Sequence, residues 1–106
     1  MKAPLILRRV EGHSMRPTLA PDDIVLASPL IRVRPGAVVI AQVGGREFIK
    51  RVENIEPDGI RLLGDNYYHS HDSRSFGLIG KKQVLGVALG YSRSSAGIAR
   101  TLKRPA

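Results

Sequence analysis

An all-β domain, built as an antiparallel sheet system or barrel, is the fold class this sequence predicts. Three observations carry the prediction. Apolar or alternating runs recur between Gly and Pro signals at about 5–10, 24–27, 37–43, 46–55, 59–63 and 83–91. They are rich in Val, Ile and Leu and too short for typical helices, which is the pattern of strands. Two of the joints also have turn chemistry: Val43-Gly44-Gly45-Arg46 carries the Gly-Gly pair of a tight hairpin with positive φ angles, and Asp58-Gly59 is a second turn of that kind. With 106 residues the chain fits one domain with a single modest core.

Taken in order, the first run leads into Gly12–Leu19, where Gly12 and Pro17 mark a tight turn rather than a continued strand. The runs at 24–27 and 37–43 are the most aliphatic. In the run 46–55, strand alternation places Phe48, Lys50 and Val52 on one face and Ile49, Arg51 and Glu53 on the other. Gly64–Gly77 breaks the pattern, with three Asp or Asn, two His, three Ser and two Tyr, and reads as a long polar loop, of the kind that is either functional or disordered. Residues 1–92 are expected to form the folded domain. Residues 93–106 are expected as a basic tail, in which Ser92–Lys103 forms either a short helix, weakened by Gly97 and serines, or a frayed end.

Lys and Arg total 17 against nine Asp and Glu, a net charge of +8 that favours an acidic partner without choosing among nucleic acid, phospholipid or peptide. There is no cysteine, so a disulfide framework and a thiolate metal site are both excluded. No run of about 18 apolar residues exists, and the first ten residues lack the apolar stretch of a signal peptide. The expectation is a soluble chain, cytoplasmic or only peripherally associated with a membrane.

Two segments fit poorly as plain core or surface. Gly12-His13-Ser14-Met15-Arg16-Pro17 presents a hydroxyl in a tight turn, and Phe48-Ile49-Lys50-Arg51-Val52 presents an amine on an apolar strand face. Separately, Ser14 is compatible with a helix N-cap and Lys50 with a snorkelling surface lysine. Together they suggest a serine nucleophile with a lysine base, a variant of the serine-histidine-aspartate arrangement. A lysine base must be neutral near pH 7, which from about 10.4 requires a downward shift of roughly 3 units, and burial beside Phe48, Val52 and Met15 is the physical means. Gly12 is expected to allow close backbone approach, Pro17 to stiffen the following chain, and the Ser14 N–H to face a substrate carbonyl. Ser70 could accept a hydrogen bond from the lysine and orient it, while Asp65 and Asn66 suit a turn and Asp72 with Arg74 an ordinary ion pair. His69 and His71 make only a weak metal pair. His13 would point away from Ser14 in extended chain.

In this order, Gly-x-Ser-Met-x-Pro-Thr-Leu, Phe-Ile-Lys-Arg-Val, Gly-Asp-Asn with Ser, Asp-Ser-Arg and then Gly-x-Ile, the sequence from about Val10 to Val87 resembles signal peptidase I. The resemblance implies a coiled antiparallel sheet or partly open barrel, with Ser14 as nucleophile, Lys50 as general base and Ser70 as the lysine-orienting serine. It also implies a structural role for Asp72 and Arg74 in shaping the loop behind the site, and no cofactor. Where many members carry a serine two positions before the nucleophile this chain has Gly12, so oxyanion stabilisation falls to the Ser14 N–H. The membrane anchor usual in the family is not seen in this sequence. Short members of this shape include the maturation peptidases of nickel-containing superoxide dismutase, which implies a protein substrate with an N-terminal leader and nickel that belongs to the product alone.

Two alternatives stand beside this expectation. A LexA-type peptidase uses the same serine and lysine to cut its own chain, but neither Ala-Gly nor Cys-Gly precedes Ser14. A non-enzymatic basic β-barrel could stack nucleic-acid bases on Tyr67 and Tyr68, yet three Tyr and two Phe without interleaved lysines argue against it.

Overall fold

The computed structural model describes residues 5–93 and 99–101. Seven strands form the sheet: β1 (Ile6–Arg9), β2 (Ile24–Ser28), β3 (Val38–Val43), β4 (Arg46–Glu56), β5 (Gly59–Leu63), β6 (Val84–Ser92) and β7 (Ala99–Thr101). Six of them lie in the order β1-β2-β6-β3-β4-β5, all pairs antiparallel, and β7 pairs with β6. All-β is therefore the fold, and the sheet is open rather than closed. Each predicted run became a strand with ends shifted by no more than a residue or so.

The Gly-Gly pair forms the two-residue hairpin between β3 and β4, with φ of 57° at Gly44 and 79° at Gly45, and Val43 opposite Arg46. Both angles are positive, which a glycine pair adopts without steric cost. The next hairpin differs from expectation. Glu56 pairs with Gly59, so its turn residues are Pro57 and Asp58, and Gly59 already belongs to β5.

The central strand β3 lies between β6 and β4, and four successive residues, Val38 to Ala41, are buried. Its two faces feed two apolar clusters, the usual consequence of period-two side-chain alternation in a sheet covered on both sides. Val39 and Ala41 join Val52, Ile60, Leu62, Ile79 and Val87, whereas Val38 joins Val10, Met15, Leu19 and Val25. Met15 and Leu19 come from the turn after β1, so that turn is nailed to the second cluster.

The expected long loop 64–77 is an ordered connection. It holds a 3-10 turn at Tyr67–His69 and a single helical turn, α1 (Ser73–Phe76), whose N-cap Asp72 accepts the Arg74 N–H. Of the segment expected as helix or frayed end, Ala99–Thr101 pairs with β6 as β7, because β6 continues beyond its pairing with β3 and leaves an edge there. Residues 94–98 and 102–106 lie outside the described residues. The sheet curls enough to bring β1, at one end of the order, across from the start of β4: Arg8 Nε donates to Glu47 Oε1 at 2.6 Å and Nη2 to Oε2 at 3.1 Å. That curvature is what sets Ser14, five residues beyond β1, over the middle of β4.

Candidate active site

Ser14 lies in a turn held by its own backbone hydrogen bonds and by apolar packing on both sides. Inside the turn, Arg16 N–H bonds His13 O at 3.1 Å and Leu19 N–H bonds Met15 O at 2.9 Å. Met15 and Leu19 are 1% and 0% exposed, which anchors both sides of the serine in apolar packing. Gly12 has φ of 74°, and a Cβ built on it would meet nothing within 4 Å. Its backbone angle, not the close approach expected from sequence, is what calls for glycine here. The Arg16-Pro17 peptide bond is cis. His13 is not a partner of Ser14, because its Nδ1 accepts from Arg16 Nε at 2.9 Å.

Lys50 projects from the middle of β4, opposite Val39, and is 3% exposed. Its Nζ donates to Ser14 Oγ at 2.7 Å. The two expected halves thus meet, although 36 positions separate them in the chain. Burial lowers the Lys50 pKa from 10.5 to about 8, Asp72 pulls it back up and Arg74 pushes it down. Desolvation is the largest of these effects because the side chain is almost fully buried, and it outweighs both Asp72 and the Phe48 ring, whose centroid 5.7 Å from Nζ favours the charged form. An amine of that basicity is neutral in a large fraction of molecules near pH 8 and can take a proton from the hydroxyl it touches.

The segment 64–66 clamps this pair. Asn66 N–H donates to Ser14 O at 2.8 Å, Asn66 Nδ2 to His13 O at 3.0 Å, and Asp65 N–H to Met15 Sδ at 3.5 Å. The Asp65 carboxylate accepts from Arg51 Nε at 2.9 Å and Nη2 at 2.8 Å, and also from Thr18 Oγ1. Arg51 follows Lys50 and Thr18 lies four residues after Ser14, so one carboxylate ties the Ser14 and Lys50 segments together. Burial pushes the Asp65 carboxyl up, but hydrogen bonds from Arg51 and Thr18 outweigh it and the pKa is lowered. Sequence had assigned Asp65 only to a turn and to general support of the site; the roles of Thr18, Arg51 and Asn66 were missed. The adjacency of Arg51 to Lys50 and the Gly-Asp-Asn order were the available signals.

Gly64 is required by close approach. A Cβ there would collide with Ser70 Oγ and come within 2.6 Å of Ser14 O, so the loop can press against Ser14 only with hydrogen at this position. Ser70 is accordingly near the pair, but its expected role is not realised in the hydrogen bonding: its Oγ is buried with no hydrogen-bond partner. The hydroxyl is close enough to Asp72 to help lower the carboxyl pKa, yet outside hydrogen-bond geometry. Asp72 and Arg74 do form the expected ion pair, with Arg74 Nη2 to Asp72 Oδ2 at 2.9 Å and Arg74 Nε to Oδ1 at 3.0 Å. Burial raises the Asp72 carboxyl, but Arg74 and the Gly64 N–H at 2.8 Å hold it well below the usual carboxylate range. Asp72 is therefore a buried, permanently charged brace for the loop behind the site.

A groove of about 550 Å³ runs over Ser14 and Lys50, with residues 8–15 on one side and 46–50 on the other. His69 and His71 also line it, and His71 packs against Phe48 and Phe76 at ring-centroid distances of 5.7 and 5.5 Å. Among the described residues no group of three or more His, Asp or Glu could hold a metal ion, and no helix is long and apolar enough to cross a membrane.

A sequence model described as peptidase S24-like matches residues 2–89. The chain belongs to this family. The S24-like chain is also 37% identical over 62 residues to signal peptidase I of Streptococcus pneumoniae, in both its serotype 4 strain TIGR4 and its strain R6. That match covers 57% of this chain and 30% of each relative, so the chain spans well under half of their length. The signal peptidase I resemblance read from the motifs agrees with these two matches, and the all-β sheet accords with membership of the S24-like family.

Two outcomes are expected of this geometry. Because the folded-state pKa of Lys50 lies below its unfolded value, the buried charge destabilises the fold at every pH below about 8, and the penalty fades as pH rises toward 10.5. Lys50→Met should therefore raise unfolding free energy by about 1–3 kcal/mol at pH 6.5 and by much less at pH 10.5, in urea titrations at the two pH values; a gain independent of pH would contradict it. Asp65→Asn should lower stability by about 1–3 kcal/mol by leaving Arg51 without its charged partner, read as a fall in urea midpoint at unchanged slope.

Proposed function

We propose that this S24-like chain is a serine endopeptidase in which Ser14 is the nucleophile and Lys50 the general base. The observation that carries the proposal is the 2.7 Å contact between Lys50 Nζ and Ser14 Oγ with the amine kept from water and its pKa lowered to about 8. Neutral Lys50 takes the Ser14 proton as Oγ attacks the scissile carbonyl carbon. The resulting ammonium then protonates the leaving amine, and a water activated by the same lysine releases the acyl group. The Ser14 N–H has no acceptor among the described residues and is the donor for the oxyanion; Gly12, in place of a hydroxyl-bearing residue, contributes the backbone angle that presents it. Ser70 makes no hydrogen bond to Lys50 as the site stands, so its proposed lysine-orienting role requires the buried hydroxyl, packed against Gly64, to turn toward the amine.

The substrate enters as an extended strand. Among the described residues, β1 pairs only with β2 and β5 pairs with β4 only from Arg51 onward, which leaves an edge of β1 and the Arg46–Lys50 edge of β4 unpaired along the groove. Such edges bind an extended peptide through main-chain hydrogen bonds. The substrate is a protein with an N-terminal leader, as the likeness to signal peptidase I suggests, and the motif resemblance to maturation peptidases makes the precursor of nickel superoxide dismutase the specific substrate proposed.

The test is cleavage of that precursor, followed by mass spectrometry, by the wild-type protein and by Ser14→Ala and Lys50→Ala variants whose folding is verified by circular dichroism. Cleavage should fall by at least about 10³-fold in each variant. For the wild type, kcat/KM should drop about tenfold per pH unit below pH 8 and level off above it, since protonated Lys50 cannot act as base. Cleavage surviving in Ser14→Ala overturns the assignment.

A further inference from the structure

The groove carries an electrostatic pattern that the acyl-transfer chemistry does not use. Its rim bears Arg8, Arg9 and Arg46 against Glu11 and Glu47. Arg8 and Glu47 neutralise one another through a two-bond ion pair. Arg9 and Arg46 therefore face a single remaining carboxylate, Glu11, and among the described residues no carboxylate forms an ion pair with either arginine.

Arg46 is the better placed of the two. It starts β4 and shares a strand face with Phe48 and Lys50. Its guanidinium carbon lies 5.3 Å from the Phe48 ring centroid, and Lys50 Nζ lies 5.7 Å from the same centroid. The ring is itself braced by His71 and Phe76 at 5.7 and 5.3 Å. Phe48 thus acts as a spacer that holds a permanent cation a short, fixed distance along the groove from the lysine, with little further ordering needed when an anion binds. An extended peptide advances about 3.3 Å per residue. The guanidinium consequently lies within about four residues of the bond positioned at Ser14.

We propose that this groove selects peptides bearing an Asp or Glu side chain within about four residues of the scissile bond, with Arg46 as the residue that reads it. The inference rests on the peptidase assignment only for the location of that bond. A guanidinium recognises a carboxylate through paired N–H donors, which a neutral amide cannot fully replace. The excess of +8 over the whole chain acts in the same direction and steers acidic segments toward the groove at low salt.

The test uses binding, so that it stands apart from turnover. A ¹⁵N-labelled Ser14→Ala protein is titrated with alanine-rich decapeptides in which one Glu is moved along the chain, and with the matching Gln series, at low and at physiological salt. At least one Glu position should bind about fivefold or more tighter than its Gln counterpart, shift the amides of 11–14 and 46–50, and lose that advantage as salt rises. Arg46→Glu should abolish the Glu preference and create one for Lys at the same position. Equal affinity of the Glu and Gln series, or an unchanged preference in Arg46→Glu, overturns the inference. A protein that binds as described yet cuts nothing would instead sink the assignment of Ser14 and Lys50.

Discussion

A lysine amine held out of water against a serine hydroxyl is the constraint around which this small sheet is arranged. At 3% exposure Lys50 cannot keep its charge without cost, and the lowering of its pKa to about 8 is the direct expression of that cost. A protein selected for stability alone would place an apolar side chain there, next to Val39 and Val52. Retaining the amine, whose hydrogen-bond partner among the described residues is a hydroxyl from a distant turn, gives up stability for the pair proposed to react.

Two segments 36 positions apart stay in register to within a hydrogen bond because a third pins both. Asp65 binds Arg51, next to the lysine, and Thr18, just beyond the serine, while Asn66 holds the carbonyls of His13 and Ser14. Asp72 in turn binds the Gly64 N–H and Arg74, so the clamp has its own buried support. The hierarchy is consistent with what preorganised sites need, namely reacting groups set on strands or anchored turns and oriented by neighbours whose own hydrogen bonds are complete. Ser70 is the exception, a buried hydroxyl with an unused hydrogen bond at the back of the site.

Much of this was legible in the sequence, for identifiable reasons. Strands were readable because Val, Ile and Leu runs between glycines obey a period-two pattern, and the β3–β4 hairpin was readable because two positive φ angles in a row call for Gly-Gly. Ser14 and Lys50 were readable because each broke the pattern of its own segment. Long-range partners were not. Nothing local in Thr18 or Arg51 announces a shared carboxylate at Asp65, since that contact exists only after the sheet has curled. The compact order of 64–77 was hidden for a related reason: Asp65, Asn66, Asp72, Ser73 and Arg74 bond one another, Arg51 and the neighbouring backbone, which composition alone cannot distinguish from a solvated loop. At Gly12 the residue was singled out correctly but for the wrong geometry, a close approach in place of a positive φ.

The account depends on where Lys50 gives up its proton, and that quantity is directly measurable. Titration of the protein labelled with ¹³C at the lysine ε-carbons, with the Lys50 resonance assigned by comparison with Lys50→Met, should show that resonance moving with a midpoint near pH 8. A Lys50 midpoint at the ordinary lysine value of 10.5 would contradict the dry amine, and with it the proposed role of Lys50 as base.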